Sequence, residues 1–156
     1  MIIGELIMKK LFVYFSSSGN GEFLASLFLE KGYETIKVET LKPIGKMNFF
    51  KMIKLGGTTI SKKGIEIKDI DLQINEDDVV VIGSPIWNDR ISSPIKAFLN
   101  KFELNKDTTQ FVLYSAGGDG KHAFKQLEKM GFKNIPLLIK SVKKNPDLAK
   151  NAIKEF

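Results

Sequence analysis

Three short segments of this chain gather Ser, Gly, Asn and Asp where apolar runs end: residues 16–21 (SSSGNG), 84–93 (SPIWNDRISS) and 115–121 (SAGGDGK). The first joins a strand-like run to a helix-like one. Small residues there let several backbone N–H groups converge, hydroxyls add donors, and a helix N-terminus adds partial positive charge. That chemistry suits a phosphate without needing Lys or Arg, although a plain Ser-rich cap turn has the same composition. The second segment carries Trp87, the only tryptophan, directly after a buried-looking strand. Near the surface it would be a platform for a planar ring; folded back, it would only cover the sheet edge. Glycines in the third segment permit close approach of backbone to a ligand, or simply a tight turn. His122 follows it and reads as an exposed helix residue with no catalytic part.

The same composition excludes other chemistry. There is no cysteine and a single histidine. Disulfides, thiolate metal sites, cysteine nucleophiles and His-rich metal sites are therefore ruled out. The metal and catalytic assignments are both none.

The elements that position these segments follow from two alternating periods. Residues 10–15 (KLFVYF) form a first strand. From Glu22 the spacing of Phe23, Leu24, Leu27 and Phe28 is helical, with an end near Gly32. Residues 35–39 alternate as a half-buried strand. Phe49, Phe50, Ile53 and Leu55 suggest a basic amphipathic helix stopped by Gly56 and Gly57, and residues 58–76 look irregular. Residues 79–83 (VVVIG) suit a parallel strand covered on both faces. Pro94 fits the first turn of a helix, with Ser92 or Ser93 as cap and Ile95, Phe98, Leu99 and Phe102 on one face. Residues 111–115 are the next strand. Ala123, Phe124, Leu127 and Met130 mark a helix closed by Gly131. Residues 135–142 form a last strand, and Asn145 with Pro146 opens a final helix. Alternating strands and helices predict a parallel sheet with helices on both faces. Ligands then bind beyond the carboxyl ends of the strands, where the three polar segments lie.

With 156 residues the chain makes one domain, 1–156. Residues 1–7 read as an extension ahead of the first strand, with no signal-peptide pattern. No apolar run reaches the roughly 20 residues that span a bilayer, so a cytoplasmic protein without stable membrane insertion is expected. Net charge is +6, almost all of it lysine, with Arg90 the only arginine. Lysine spread along a chain is usually a solvated surface, whereas phosphate and base readers favour Arg. No nucleic-acid partner is expected.

Residues 9–21 (KKLFVYFSSSGNG), 83–99 (GSPIWNDRISSPIKAFL) and 114–120 (YSAGGDG) resemble, in this order, the phosphate loop, the loop after the third strand and the Gly-rich loop of the flavodoxin family, in its short form. The resemblance implies a three-layer doubly wound α/β fold. It has a five-stranded parallel sheet in the order 2-1-3-4-5 and one non-covalent FMN. Carried over by position, Ser16, Ser17, Ser18, Gly19, Asn20 and Gly21 would hold the phosphate. Pro85, Ile86, Trp87 and Asn88 would line one side of the ring, and Ser115, Ala116, Gly117, Gly118 and Gly120 its pyrimidine side. Gly21 stands where these loops usually carry Thr, which removes one hydroxyl contact. Asn88 stands where a Gly often occurs; Asn tolerates positive φ better than most residues.

The function so implied is electron transfer through FMN, with redox partner proteins, acidic ones suiting the basic surface, and a monomer or weak dimer. The alternative is an FMN-dependent NAD(P)H:quinone or flavin-type oxidoreductase on the same fold, which shares the phosphate loop. A signalling receiver domain is rejected, because Ser16 and Ser84 stand where acidic residues are required. A P-loop fails at Ser115 and His122. The lysines between Lys42 and Lys68, around Phe49 and Phe50, could meet anionic lipid or steer an acidic partner.

Overall fold

The computed structural model describes residues 8–42 and 65–156. The elements are β1 (Lys10–Tyr14), α1 (Asn20–Glu30), β2 (Glu34–Lys37), β3 (Val79–Trp87), β4 (Arg90–Ile91), α2 (Ser93–Lys101), β5 (Gln110–Ser115), α3 (Lys121–Lys129), β6 (Leu137–Lys140), a 3-10 turn (Val142–Lys144) and α4 (Pro146–Ala152). The basic amphipathic helix expected around Phe49 to Leu55, and residues 1–7, lie outside the described residues.

Strict alternation inside the strands builds the layers, because successive side chains point to opposite faces. In β1, Leu11 and Val13 join the apolar layer that contains Ile95, Phe98, Ala123 and Leu127, under α2 and α3. Phe12 and Tyr14 join the other layer, with Leu24 and Phe28 of α1 and Ala149 of α4. In β5, Phe111 and Leu113 divide from Val112 and Tyr114 in the same way. The rings of Phe12 and Phe28 stack with centroids 4.2 Å apart. Both are fully buried, which contributes about 1.5–3 kcal/mol for each side chain.

The parallel strands run in the order β2-β1-β3-β5-β6, with β4 paired to β3 alone. Counting only parallel strands, this is the expected order 2-1-3-4-5. Its register places Tyr14 beside Gly83 and Ser84 beside Leu113. The polar segments after β1 and β5 therefore emerge at one edge, beside the end of β3.

Several features differ from the sequence reading. The third strand does not stop at Gly83 but runs to Trp87 and turns back through Asn88 and Asp89 into β4. A sixth, antiparallel strand results. The last strand begins at Leu137, and Ile135 is exposed. Ser92 is the residue before α2, but its hydroxyl meets Ser84 Oγ at 3.0 Å instead of capping the helix. No described helix is long and apolar enough to cross a membrane.

Candidate flavin-binding site

The loop after β1 is organised by Ser16. Its buried hydroxyl oxygen accepts the N–H of Gly19 at 3.1 Å and of Gly21 at 3.0 Å. Gly19, at φ 90°, turns the chain into α1, whose first bond runs from Phe23 N–H to the Gly19 carbonyl. Among the described residues no acceptor takes the N–H of Ser17, Ser18 or Asn20. Free N–H groups at the start of a helix fit a phosphate.

Beneath this loop sits a buried aromatic floor. The Tyr114 hydroxyl donates to the Phe15 carbonyl, and burial pushes its pKa well up. A Cβ on Gly21 would lie 2.6 Å from Ser16 Cβ, 2.7 Å from the Tyr14 ring and 2.9 Å from the Tyr114 hydroxyl. The departure from Thr at this position therefore has a steric cause: two tyrosines fill the space that a side chain would need. Beside them, Glu22 Oε1 accepts from Lys37 Nζ at 2.6 Å. Burial acts to raise the Glu22 pKa, but the hydrogen bonds from Lys37 and Ser16 outweigh it and hold the carboxyl below its ordinary value.

The second segment is a hairpin turn. Asn88 and Asp89 take φ values of 48° and 60°, the pattern of a two-residue turn with both central residues left-handed. Pro85 and Ile86 are half-buried, and Asn88 is exposed. Trp87 is not near the surface. It is 5% exposed and lies edge-on to Phe15, ring centroids 5.4 Å apart. It folds back into the layer under α2 and α3, because the strand carries on through it and leaves it no solvent face. Arg90 donates from Nη1 to the Asn88 carbonyl at 3.3 Å, across the turn.

The third loop holds Ala116, Gly117 and Gly118 exposed, with Ser115 Oγ donating to the Gly118 carbonyl at 3.0 Å. No atom approaches within 4 Å of a Cβ built on Gly117 or Gly118, so the backbone is open to a flat ring. Gly120, at φ 68°, begins α3 and packs on Ile86. His122 Nδ1 meets Asp89 Oδ2 at 2.5 Å. The second and third segments are thus joined.

Sequence reasoning missed a fourth contributor. Lys143, in the 3-10 turn after β6, donates from Nζ to the Ser18 carbonyl at 3.0 Å. Its partner is 125 residues away, so no local spacing could have revealed it. A groove at the C-terminal end of α1, lined by Leu27, Lys31, Asp147 and Lys150, is separate from all these loops.

Residues 8–136 match the family model described as NADPH-dependent FMN reductase. The chain belongs to that family. The match runs from just before β1 to the residue before β6, and so includes the three segments, and it makes FMN the cofactor. The fold is shared with solved flavoproteins. One, from Lactobacillus acidophilus NCFM in complex with FMN, is 23% identical, with a TM-score of 0.68, over 90% of this chain and 97% of that one. The apo-form of the flavoprotein from the same organism is 22% identical, with a TM-score of 0.64, over 89% and 97%. No curated protein matches the chain. The fold is thus flavodoxin-like, while the family shown is the reductase family and not the short-chain flavodoxins. The residues fit FMN: open N–H donors for a phosphate and an uncluttered glycine backbone for a ring.

Proposed function

We propose that this protein is an FMN-dependent NAD(P)H oxidoreductase. It would take two electrons and a proton from NAD(P)H, and with one further proton reduce an acceptor such as a quinone or a free flavin. The observation that carries this reading is the family match over residues 8–136. It favours the enzyme over the simple electron carrier that the resemblance to flavodoxins first suggests.

Bound FMN supplies the redox chemistry; the protein supplies position and electrostatics. In this reading the N–H groups of Ser17, Ser18 and Asn20 bind the phosphate, with Ser16 fixing the loop's shape from below. Pro85, Ile86 and Asn88 line one side of the ring. Ser115, Ala116, Gly117, Gly118 and Gly120 line the pyrimidine side, where the glycines let backbone approach the ring edge. The ring's outer face stays open for a nicotinamide and then an acceptor in turn. Trp87 acts from beneath, holding the hairpin, and is no stacking partner.

Steady-state oxidation of NADPH and NADH by the FMN-loaded protein, with menadione or excess FMN as acceptor, tests this. Turnover that requires bound FMN supports the enzyme. A holoprotein inert towards both nucleotides returns the carrier reading to first place.

A further inference from the structure

We propose that Lys143 is a cofactor-binding residue that clamps the FMN phosphate against the loop after β1, an assignment that rests on the function proposed above.

The loop itself, SSSGNG, contains no cation. Its one hydroxyl contact expected at position 21 is sterically excluded by Tyr14 and Tyr114. A phosphate dianion held only by backbone N–H groups and the neutral Ser17 and Ser18 hydroxyls would lack a counter-charge. Glu22, close behind the loop, adds a carboxylate that Lys37 already engages. Lys143 supplies the missing charge from another part of the chain. Its ammonium reaches the Ser18 carbonyl at 3.0 Å, and would lie 3.0 Å from a Cβ on Gly19, with Cδ and Cε at 3.7 Å. Gly19 therefore gives the lysine stem its place across the loop. One ammonium N–H is spent on Ser18, which leaves two for phosphate oxygens.

The placement of Lys143 is held by its neighbours. Val142 is fully buried on the face shared with α1 and α4. Ser141, at φ 52°, donates its N–H to the Ser115 carbonyl at 2.8 Å and its hydroxyl to the Ala116 carbonyl at 3.3 Å. The segment that carries Lys143 is thereby fastened to the loop that would line the ring. Phosphate site and ring site are joined through it.

Charge-assisted hydrogen bonds to an exposed dianion are worth on the order of tenfold in affinity. The test titrates the full chain with FMN and with riboflavin, which lacks the phosphate, at low and high salt. Lys143→Gln is expected to weaken FMN about tenfold and leave riboflavin unchanged. Lys143→Arg should recover most of the loss. The salt dependence of FMN binding should be shallower in Lys143→Gln than in wild type. Lys143→Met keeps the stem over Gly19 and serves as the second variant if Lys143→Gln does not fold. An unchanged FMN to riboflavin ratio in the neutral variants overturns the assignment while the FMN site stands. Wild-type protein that binds neither flavin overturns the site and the assignment together.

Discussion

His122 Nδ1 lies 2.5 Å from Asp89 Oδ2, and the same oxygen accepts the His122 backbone N–H at 3.3 Å. This pair joins the tip of the β3–β4 hairpin to the first turn of α3. A second tie, from Ile91 N–H to Gln126 Oε1 at 3.1 Å, fastens the hairpin's return strand to the same helix. The hairpin and the Gly-rich loop therefore form one unit on the ring side of the site. Asp89→Ala should loosen that unit. Faster hydrogen exchange at residues 88–91 and 118–122, with folding stability reduced by less than about 1 kcal/mol, is the expected result. Unaltered exchange there would show that the pair does not hold the loops.

Acid should release two contacts. The hydrogen bond from His122 holds Asp89 below its ordinary pKa of 3.8. Glu22 ends below its ordinary 4.5 because its hydrogen bonds outweigh burial. A depressed folded pKa adds stability that is present above the ordinary value and lost as pH falls through the folded one. Urea midpoints should therefore drop below about pH 4.5, and less steeply in Asp89→Asn and Glu22→Gln. Both pairs are partly open to solvent, with side chains 34–60% exposed, so each is worth no more than about 1 kcal/mol. Parallel midpoint-against-pH curves for wild type and both variants would refute this.

Restoring the hydroxyl that flavodoxin loops usually carry should harm this protein. Gly21→Thr pushes a side chain into Ser16, Tyr14 and the Tyr114 hydroxyl, all under 3.0 Å from its Cβ. Overpacking of this kind costs about 1–3 kcal/mol. Lower thermal stability and weaker FMN retention are expected. Tighter FMN binding at unchanged stability would mean that the floor yields.

Trp87 offers a separate test of its buried placement. Trp87→Phe should retain FMN, whereas Trp87→Ala should lose about 3–5 kcal/mol of stability. Chemical denaturation and flavin retention after desalting would measure both. Lost flavin in a stable Trp87→Phe protein would give the indole a direct part in holding the ring.

The layers were legible because short apolar strand runs such as residues 10–15, 79–83 and 111–115 alternate with helical spacing, whereas the strand order followed only from the resemblance to flavodoxins; the structure keeps both. The glycine-rich segments were equally legible, since composition changes abruptly where each strand ends. Trp87 was misplaced because a strand that continues past Gly83 and Pro85 looks, in one dimension, like a strand followed by a loop. Asn88 gave a local sign of that turn through its tolerance of positive φ, which it uses at 48°. Ile135 was misread as strand because apolar character alone cannot tell an edge from an approach. Lys143 and the Tyr14–Tyr114 floor carried no local signal at all. Both arise from contacts between distant segments, which only the packed sheet creates.

The central claim is that electrons from a nicotinamide enter through FMN held by these loops. Anaerobic mixing of the desalted, FMN-loaded protein with NADPH, and separately with NADH, tests it most directly by following the flavin absorption band. Bleaching by at least one nucleotide, followed by recovery of the band when a quinone is added, is the predicted result. A band that stays oxidised with both nucleotides, yet bleaches with dithionite, would contradict the account and leave a flavin carrier in its place.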